Sequence, residues 1–464
     1  MSNESQGLMG WIDARFPLSK MIKEHLSEYY APKNFNFWYY FGSLALLVLV
    51  IQILSGIFLT MHYKPDAALA FASVEHIMRD VNWGWLIRYM HSTGASFFFI
   101  VVYLHMFRGL IYGSFKNPRE LIWIFGMLIY VALMAEAFMG YLLPWGNMSY
   151  WGAQVIINLF NTIPFVGEAI SEWIRGDFVL SDATLNRFFA LHVIAVPLAL
   201  LGLIVGHILA LHEVGSNNPD GVDIKKNKGA DGIPVDGIPF HPYYTVKDIF
   251  GSVVFLAIFA FVLFFLPDMN GLFLEHANFD PANPLNTPDL IAPIWYFTPF
   301  YTVLRAIPNP FGGFFMMGLA IVVLFILPWI DRNPIKSIRY RSLLFKINIL
   351  IFAATFIILG YLGLKPVTAF YSQLALRFTE LYFLFFFVLW AYSKTRSKSF
   401  WIGSFIVLLG GVTFYDKFMN SSGDDPSLIW KTWFIPAVYL MVTLLLPFLT
   451  KWDSEKEVPA RVTS

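Results

Sequence analysis

Two stretches decide the fold: Arg88–His105, RYMHSTGASFFFIVVYLH, and Arg187–His207, RFFALHVIAVPLALLGLIVGH. Each is apolar enough for the core of a bilayer. Each also carries two histidines, His91 and His105 in the first, His192 and His207 in the second. An imidazole at membrane depth is costly without a partner, so four of them ask for one explanation. On an α-helix the step from His91 to His105 rises about 21 Å and returns to within about 40° of the same face. Both positions then fit inside a hydrocarbon layer of about 30 Å, one toward each surface. The two stretches are the second and fourth apolar segments, so they run in the same direction. His91 therefore meets His192 on the outer side and His105 meets His207 on the inner side. Each pair can give two axial nitrogens to one iron, which is what two stacked, non-covalent b-type haems need. Four separately hydrogen-bonded helix histidines would be the plainer account, but it leaves their matched register unexplained.

Composition agrees with a chain that lives in lipid. Of its 464 residues 57% are hydrophobic and 14% charged, which points to an all-α, polytopic transmembrane helical protein. Apolar windows fall at about 38–61, 86–107, 121–143, 188–211, 248–266, 313–330, 345–362 and 378–393, with two more at about 400–415 and 432–450. Backbone in lipid must bond to itself, so these roughly ten windows read as helices. With the amino terminus in the cytoplasm, that side carries 22 Lys and Arg and the other side 10, the chain's 32 in all. The positive-inside rule then predicts both termini in the cytoplasm, in a bacterial inner membrane crossed many times and surrounded by lipid. The polar lead-in, Met1–Pro32, has no signal-peptide core. The chain has no cysteine, which excludes thiolate metal sites, iron–sulfur clusters and covalently attached haem on this chain. A net charge of +1 gives no reason to expect nucleic acid.

Three regions follow. Residues 1–215 hold the four histidines and predict a four-helix bundle around the two haems. Residues 216–395 hold four more spans and seven prolines between Pro281 and Pro310. Residues 396–464 read as a two-helix extension. Within the bundle, Gly42 and Gly56 in the first span and Gly126 and Gly140 in the third repeat the His91–His105 step. Glycine there would let a flat macrocycle approach the backbone, with small-residue helix packing as the alternative. Arg88, Arg108 and Arg187 lie near span ends and could pair with haem propionates or snorkel to the surface.

The two quoted runs, together with LHEVGSNNP (211–219), FMGYLLPWGNMSYWGA (138–153), FHPYYTVKDIFG (240–251) and PIWYFTPFYTVLRAIPNP (293–310), closely resemble cytochrome b of the cytochrome bc complex. The match runs in order over roughly residues 30–395. The resemblance implies the dihaem subunit of a proton-translocating quinol:cytochrome c oxidoreductase, with a Rieske iron–sulfur protein and a c-type cytochrome as partners and a homodimeric complex. Quinol, with ubiquinone as the expected quinone, would be oxidised on the outer side. One electron would go to the Rieske partner and the other through both haems to a quinone on the inner side. Phe138, Tyr141, Gly152, Pro293, Ile294, Tyr296 and Tyr301 match positions lining the quinol-oxidation pocket, with Tyr301 a candidate catalytic residue. His212, Ser216, Asn217, Lys247 and Asp248 match the quinone-reduction pocket, where His212, Lys247 and Asp248 could deliver protons.

Two features depart from the family. The interval His192–His207 is 15 residues rather than the commoner 14. The extra residue turns the second ligand by about 100°. Pro197, which removes a helix hydrogen bond, predicts a π-type bulge or kink that absorbs it. The family often has Pro-Glu-Trp-Tyr in the outer pocket, whereas this chain reads Pro293-Ile294-Trp295-Tyr296. Glu136, in the third span, is the expected replacement acid, with packing beside a haem as the alternative. Two other functions are weighed: a dihaem membrane anchor of a quinone-linked dehydrogenase or hydrogenase, which would not need the two outer motifs, and a secondary transporter, which predicts no haem.

Overall fold

A computed structural model describes residues 7–24, 28–393, 399–400, 402–404, 406–407, 410, 436–445, 448 and 454–463. Eight helices carry the apolar windows: α1 (Tyr40–Thr60), α2 (Gly84–Tyr112), α3 (Glu120–Leu142), α4 (Asp182–Val214), α5 (Phe240–Phe265), α6 (Pro310–Phe325), α7 (Leu343–Gly363) and α8 (Ala369–Tyr392). All but α6 are long and apolar enough to cross a membrane. α6 has 16 residues, about 24 Å of rise. The 400–415 window lies largely outside the described residues, and of the 432–450 window only 436–445 and 448 are described, as helix.

Three boundaries depart from the hydropathy reading, each for a local reason. The 313–330 window breaks at Ile326, because Pro328 has no N–H to offer the Leu324 carbonyl. That carbonyl is taken by the Trp123 indole of α3 at 2.7 Å. α8 starts at Ala369, well before 378. Thr368 caps its first turn, and Arg377, 1% exposed, is paired with Glu380 at 2.9 Å inside the helix. α5 starts at Phe240 rather than 248, with a non-helical His241 at its entry. Lys247 and Asp248 therefore lie inside the helix and are not its first residues.

α1 packs along α2, and α3 along α4, which brings the four histidine and glycine helices together. α4 is interrupted at its middle. Residues Leu191–Ala195 form a π turn, in which the Val196 N–H reaches back to the Leu191 carbonyl. Pro197 follows in the first turn of the α segment, where its ring could not continue the preceding helix without losing a hydrogen bond. A π turn holds one residue more than an α turn. The bulge expected from the His192–His207 interval is thus present, and His192 lies within it.

Between the long helices, Asn147–Phe160, Gly167–Arg175 and Thr298–Ala306 close the His91 end of the bundle. At the His105 end the only named sheet among the described residues pairs Tyr30–Pro32 antiparallel with Gly237–Pro239. Apolar side chains such as Leu198, Val205, Ile249 and Phe261 stay exposed on α4 and α5, as they would toward lipid tails rather than water.

Candidate functional site

His91 and His192 face each other with ring centroids 6.1 Å apart and planes at 89°; His105 and His207 face each other at 6.3 Å and 58°. A metal–imidazole bond of about 2.0–2.1 Å plus roughly 1.1 Å from nitrogen to ring centroid, taken twice, spans about 6.2–6.4 Å. Both gaps have the width of one iron held by two imidazoles. At the His91 end the second ring nitrogens set the tautomers. The Ser55 hydroxyl gives its proton to the Ile51 carbonyl at 2.6 Å and so accepts from His91 Nδ1 at 3.0 Å. His192 Nδ1 donates to the Glu136 carbonyl at 2.9 Å and lies 3.0 Å from Glu136 Oε1. With both Nδ1 atoms protonated, both Nε2 lone pairs are left for a metal, the usual way an outer partner fixes a ligating histidine.

Each of the four glycines faces one of these rings. A Cβ on Gly42 would lie 3.3 Å from His105 Cε1, on Gly56 3.2 Å from His91 Cε1, and on Gly126 3.4 Å from His207 Cε1. On Gly140 it would overlap the His192 ring. The spacing signal was therefore real, and its immediate object is the imidazole: the missing side chains let each ring lie flat against the neighbouring helix.

The three arginines separate. Arg108 reaches His105 Nδ1 at 3.3 Å and lies over the Tyr39 ring at 4.9 Å. Its buried Nε has no partner, and no carboxylate pairs with it among the described residues. A guanidinium beside His105 with no anion of its own suits a carboxylate such as a propionate. Arg88, likewise without an ion pair among the described residues, lies one turn from His91; burial holds both residues inside the bundle. Arg187 is different. It donates to the Trp173 carbonyl and covers Gly176, so it closes the loop ahead of α4.

The Pro293–Tyr296 motif is bolted to α2. Trp295 Nε1 donates to Ser96 Oγ at 3.0 Å, Tyr103 OH to the Tyr296 carbonyl at 2.6 Å, and Phe99 stacks on Tyr296 at 3.9 Å and 7°. Ile294 is buried in the apolar core. Phe138 packs edge-on to Phe188, and Gly152 brings the helix Asn147–Phe160 against the Tyr141 ring. Tyr301 gives its hydroxyl to the Ile291 carbonyl at 3.0 Å. That bond ties Tyr301 to the segment leading into the motif. Glu136 lies against His192 rather than against this motif. The carboxylate that does reach the pocket is Glu275, whose Oε2 accepts from Tyr141 OH at 2.8 Å. Burial pushes its carboxyl up to about 7, against the lowering effect of that hydrogen bond. Sequence reasoning passed over Glu275. The signal was a lone acid in an apolar outer loop, GLFLEHANF (271–279).

At the His105 end, His212 stacks on Tyr29 at 4.5 Å and 12°, and Tyr29 OH lies 3.0 Å from Ser216 Oγ. Lys247 Nζ sits 5.3 Å from the Tyr244 ring centre, and Asp248 faces Ser43 of α1. These residues border one region between α1, α4 and α5. Asn217 does not share it. Its amide donates to the Tyr112 carbonyl at 2.7 Å and to Ser114 Oγ at 3.2 Å, so it ties the loop after α4 to the end of α2.

Comparison with known proteins follows this geometry. Residues 26–215 match the family model described as Cytochrome b/b6/petB, and residues 281–383 match Cytochrome b(C-terminal)/b6/petD. The cytochrome b of Allochromatium vinosum is 62% identical over 402 residues, covering 85% of this chain and 97% of the relative. That of Rickettsia prowazekii is 51% identical, covering 83% and 94%. A chain of a solved hyperthermophilic respiratory Complex III superposes with a TM-score of 0.77 at 41% identity, covering 83% of this chain and 98% of that one.

Proposed function

Since the chain belongs to the cytochrome b family, as a membrane-embedded subunit of a bc1-type respiratory complex III, we propose that it oxidises quinol at the His91 end and reduces quinone at the His105 end. The observation that carries this reading is the pair of facing imidazoles at each end, set at the width of one iron. His91 and His192 would hold one b-type haem and His105 and His207 the other, with Arg88 and Arg108 as propionate partners. Bound, these two groups supply one-electron transfer between the two quinone sites. The chain's residues do the rest. Ser55 and the Glu136 carbonyl orient the ligand rings. Tyr141, Tyr296, Phe138 and Ile294 make an apolar slot that keeps water from the reacting ring. His212, Lys247 and Asp248 supply protons to quinone where it is reduced.

The remaining parts of the reading are of a piece. A Rieske protein would take one electron at the His91 end, and a c-type cytochrome would take it onward. The quinone would be ubiquinone, the complex a homodimer in a bacterial inner membrane, and both termini cytoplasmic. Residues 1–215 would be the haem-bearing unit, 216–395 the completion of both quinone sites, and 396–464 a two-helix extension. One experiment tests the core of it: purify the assembled complex, count haem per chain, and assay quinol-dependent cytochrome c reduction. Two non-covalent haems per chain and turnover are expected. One haem or none, or no turnover by a complex that contains its iron–sulfur and c-type partners, overturns the reading.

A further inference from the structure

Oxidation in the Tyr141–Tyr296 slot requires a base, because a quinol O–H must lose its proton in a place built from apolar and aromatic side chains. The motif beside the slot offers none, since Ile294 carries no acceptor. Glu136 is turned to His192. Among the described residues one carboxylate bonds to the slot. Glu275 enters the slot from the loop after α5, and that loop is stapled in place from both sides. Asn278 Oδ1 accepts from the Ser149 N–H at 2.8 Å, the Asn147 N–H donates to the Asp280 carbonyl at 2.9 Å, and the Ala282 N–H to the Trp145 carbonyl at 3.0 Å. On the other flank Phe273 stacks on Trp295, 6.2 Å between centroids. The carboxyl is thus held against the very motif that lacks one.

We propose that Glu275, positioned by Tyr141, is the carboxylate that accepts a proton from quinol at this site, in place of the residue that Ile294 cannot supply. The step rests on the proposed quinol oxidation and balances by itself. The quinol O–H breaks, the proton goes to Glu275 Oε1, and a quinol anion and a neutral carboxylic acid remain; the two electrons then leave to the one-electron acceptors of the complex, the second O–H proton goes to water, and quinone is formed. Oε1 is suited to this, because Tyr141 binds only Oε2 and no other residue among those described bonds Oε1. Tyr141 itself is a positioning residue.

The ionisable groups around the carboxyl favour the task. Tyr141 faces it from α3 and Tyr296 from the motif, and neither phenol carries charge near neutral pH. On its own loop His276 turns away onto Gly271. No cation forms an ion pair with Glu275 among the described residues. Nothing therefore holds the carboxylate permanently ionised, and burial leaves it able to take and release a proton near pH 7.

The test uses the assembled complex. Glu275→Gln should keep both haems and their reduced spectrum but lose about a hundredfold in quinol-dependent cytochrome c reduction, the low end of what a positioned base contributes. The wild-type rate should fall as pH drops through about 7, and this acid limb should vanish in Glu275→Gln. Tyr141→Phe removes a hydrogen bond that lowers the carboxyl, so its acid limb should move to higher pH. Placing a carboxylate on the motif, Ile294→Glu in the Glu275→Gln background, should restore part of the rate. A Glu275→Gln complex with the wild-type rate and pH profile, or with a loss that is equal at every pH, overturns the proposal. If Glu275→Gln fails to assemble, an unmoved acid limb in Tyr141→Phe overturns it instead. Absence of quinol oxidation in the wild-type complex is a different result, which sinks the proposed function and not this assignment alone.

Discussion

At the His105 end of the bundle, Asp331 lies between Lys116 at 2.8 Å and Arg341 at 2.9 Å, all three nearly free of solvent. Asp220 takes Arg339, Tyr340 and Asn34, and Asp236 takes Lys33 and Arg461. At the His91 end the two acids nearest the site are held otherwise. Glu136 faces an imidazole and Glu275 a phenol, and neither faces an arginine or lysine. A buried carboxylate with a cation is fixed as an ion, because taking up a proton would cost the pair its attraction. A buried carboxylate with only a phenol can take a proton and let it go. The paired acids at the His105 end are built to hold loops in place, whereas the two acids at the His91 end have no cation that fixes their charge.

The histidines give the largest test of that contrast, because both ends depend on them. His192→Leu should leave one haem per chain and abolish quinol oxidation. His207→Leu should also leave one haem, at the other end. Haem counted by its reduced pyridine adduct, with spectra resolved for the two sites, checks both. Two haems retained in either variant would mean that these imidazoles are not the ligands.

Next comes the charged end. Asp331→Asn leaves Lys116 buried without an anion and Arg341 with only Glu455, 3.9 Å away, a change worth about 3–5 kcal/mol in buried pairs. Thermal unfolding of the detergent-solubilised protein should show a large drop. A change under about 1 kcal/mol would mean that water already reaches this cluster and that the contrast between the ends is overdrawn. Smaller and more local is the glycine comparison. Gly140→Ala puts a methyl onto the His192 ring, whereas Gly42→Ala puts one 3.3 Å from His105 Cε1. The first should lower occupancy of the haem at the His91 end. The second should keep both haems and shift only the spectrum of the other.

What the sequence made legible follows the same division. Histidine and glycine spacing could be read because a helix repeats in a fixed angle, so positions far apart in the chain share a face. The π turn could be read too, since an odd interval beside Pro197 leaves few other solutions. Glu275 could not, because its place depends on a loop pinned by Asn278 and Asp280 to a helix over a hundred residues earlier. Nothing local announces that contact. The partners of Arg187 and Asn217 were not legible for another reason: long or polar side chains near a site have several partners within reach, and only the fold chooses. The early start of α8 hid behind Arg377, which hydropathy counts as a break and the structure buries against Glu380.

The smallest effect concerns the carboxyl-terminal tail, which returns to the His105 end. Arg461 binds Asp236 at 2.8 and 3.0 Å, and the Val462 N–H donates to Asp236 at 3.1 Å. The Thr463 N–H and hydroxyl both donate to Asp220, at 2.9 and 2.7 Å. The hydrogen bond from Arg461, more than any other contact, holds the Asp236 carboxyl down at about 2. A carboxyl whose folded pKa lies below its unfolded value of about 3.9 stabilises the fold above that value. The contribution is lost as pH falls through about 2. Arg461 is 51% exposed and Asp236 keeps Lys33, so Arg461→Ala should cost about 1 kcal/mol or less. Its signature is local rather than global. Hydrogen exchange at the Val462 and Thr463 amides should speed up in the variant at neutral pH, and in the wild type only in strong acid. Equal protection in both proteins at neutral pH would show that the Asp220 contacts alone fix the tail, and that the ion pair at Asp236 is no part of what makes this end rigid.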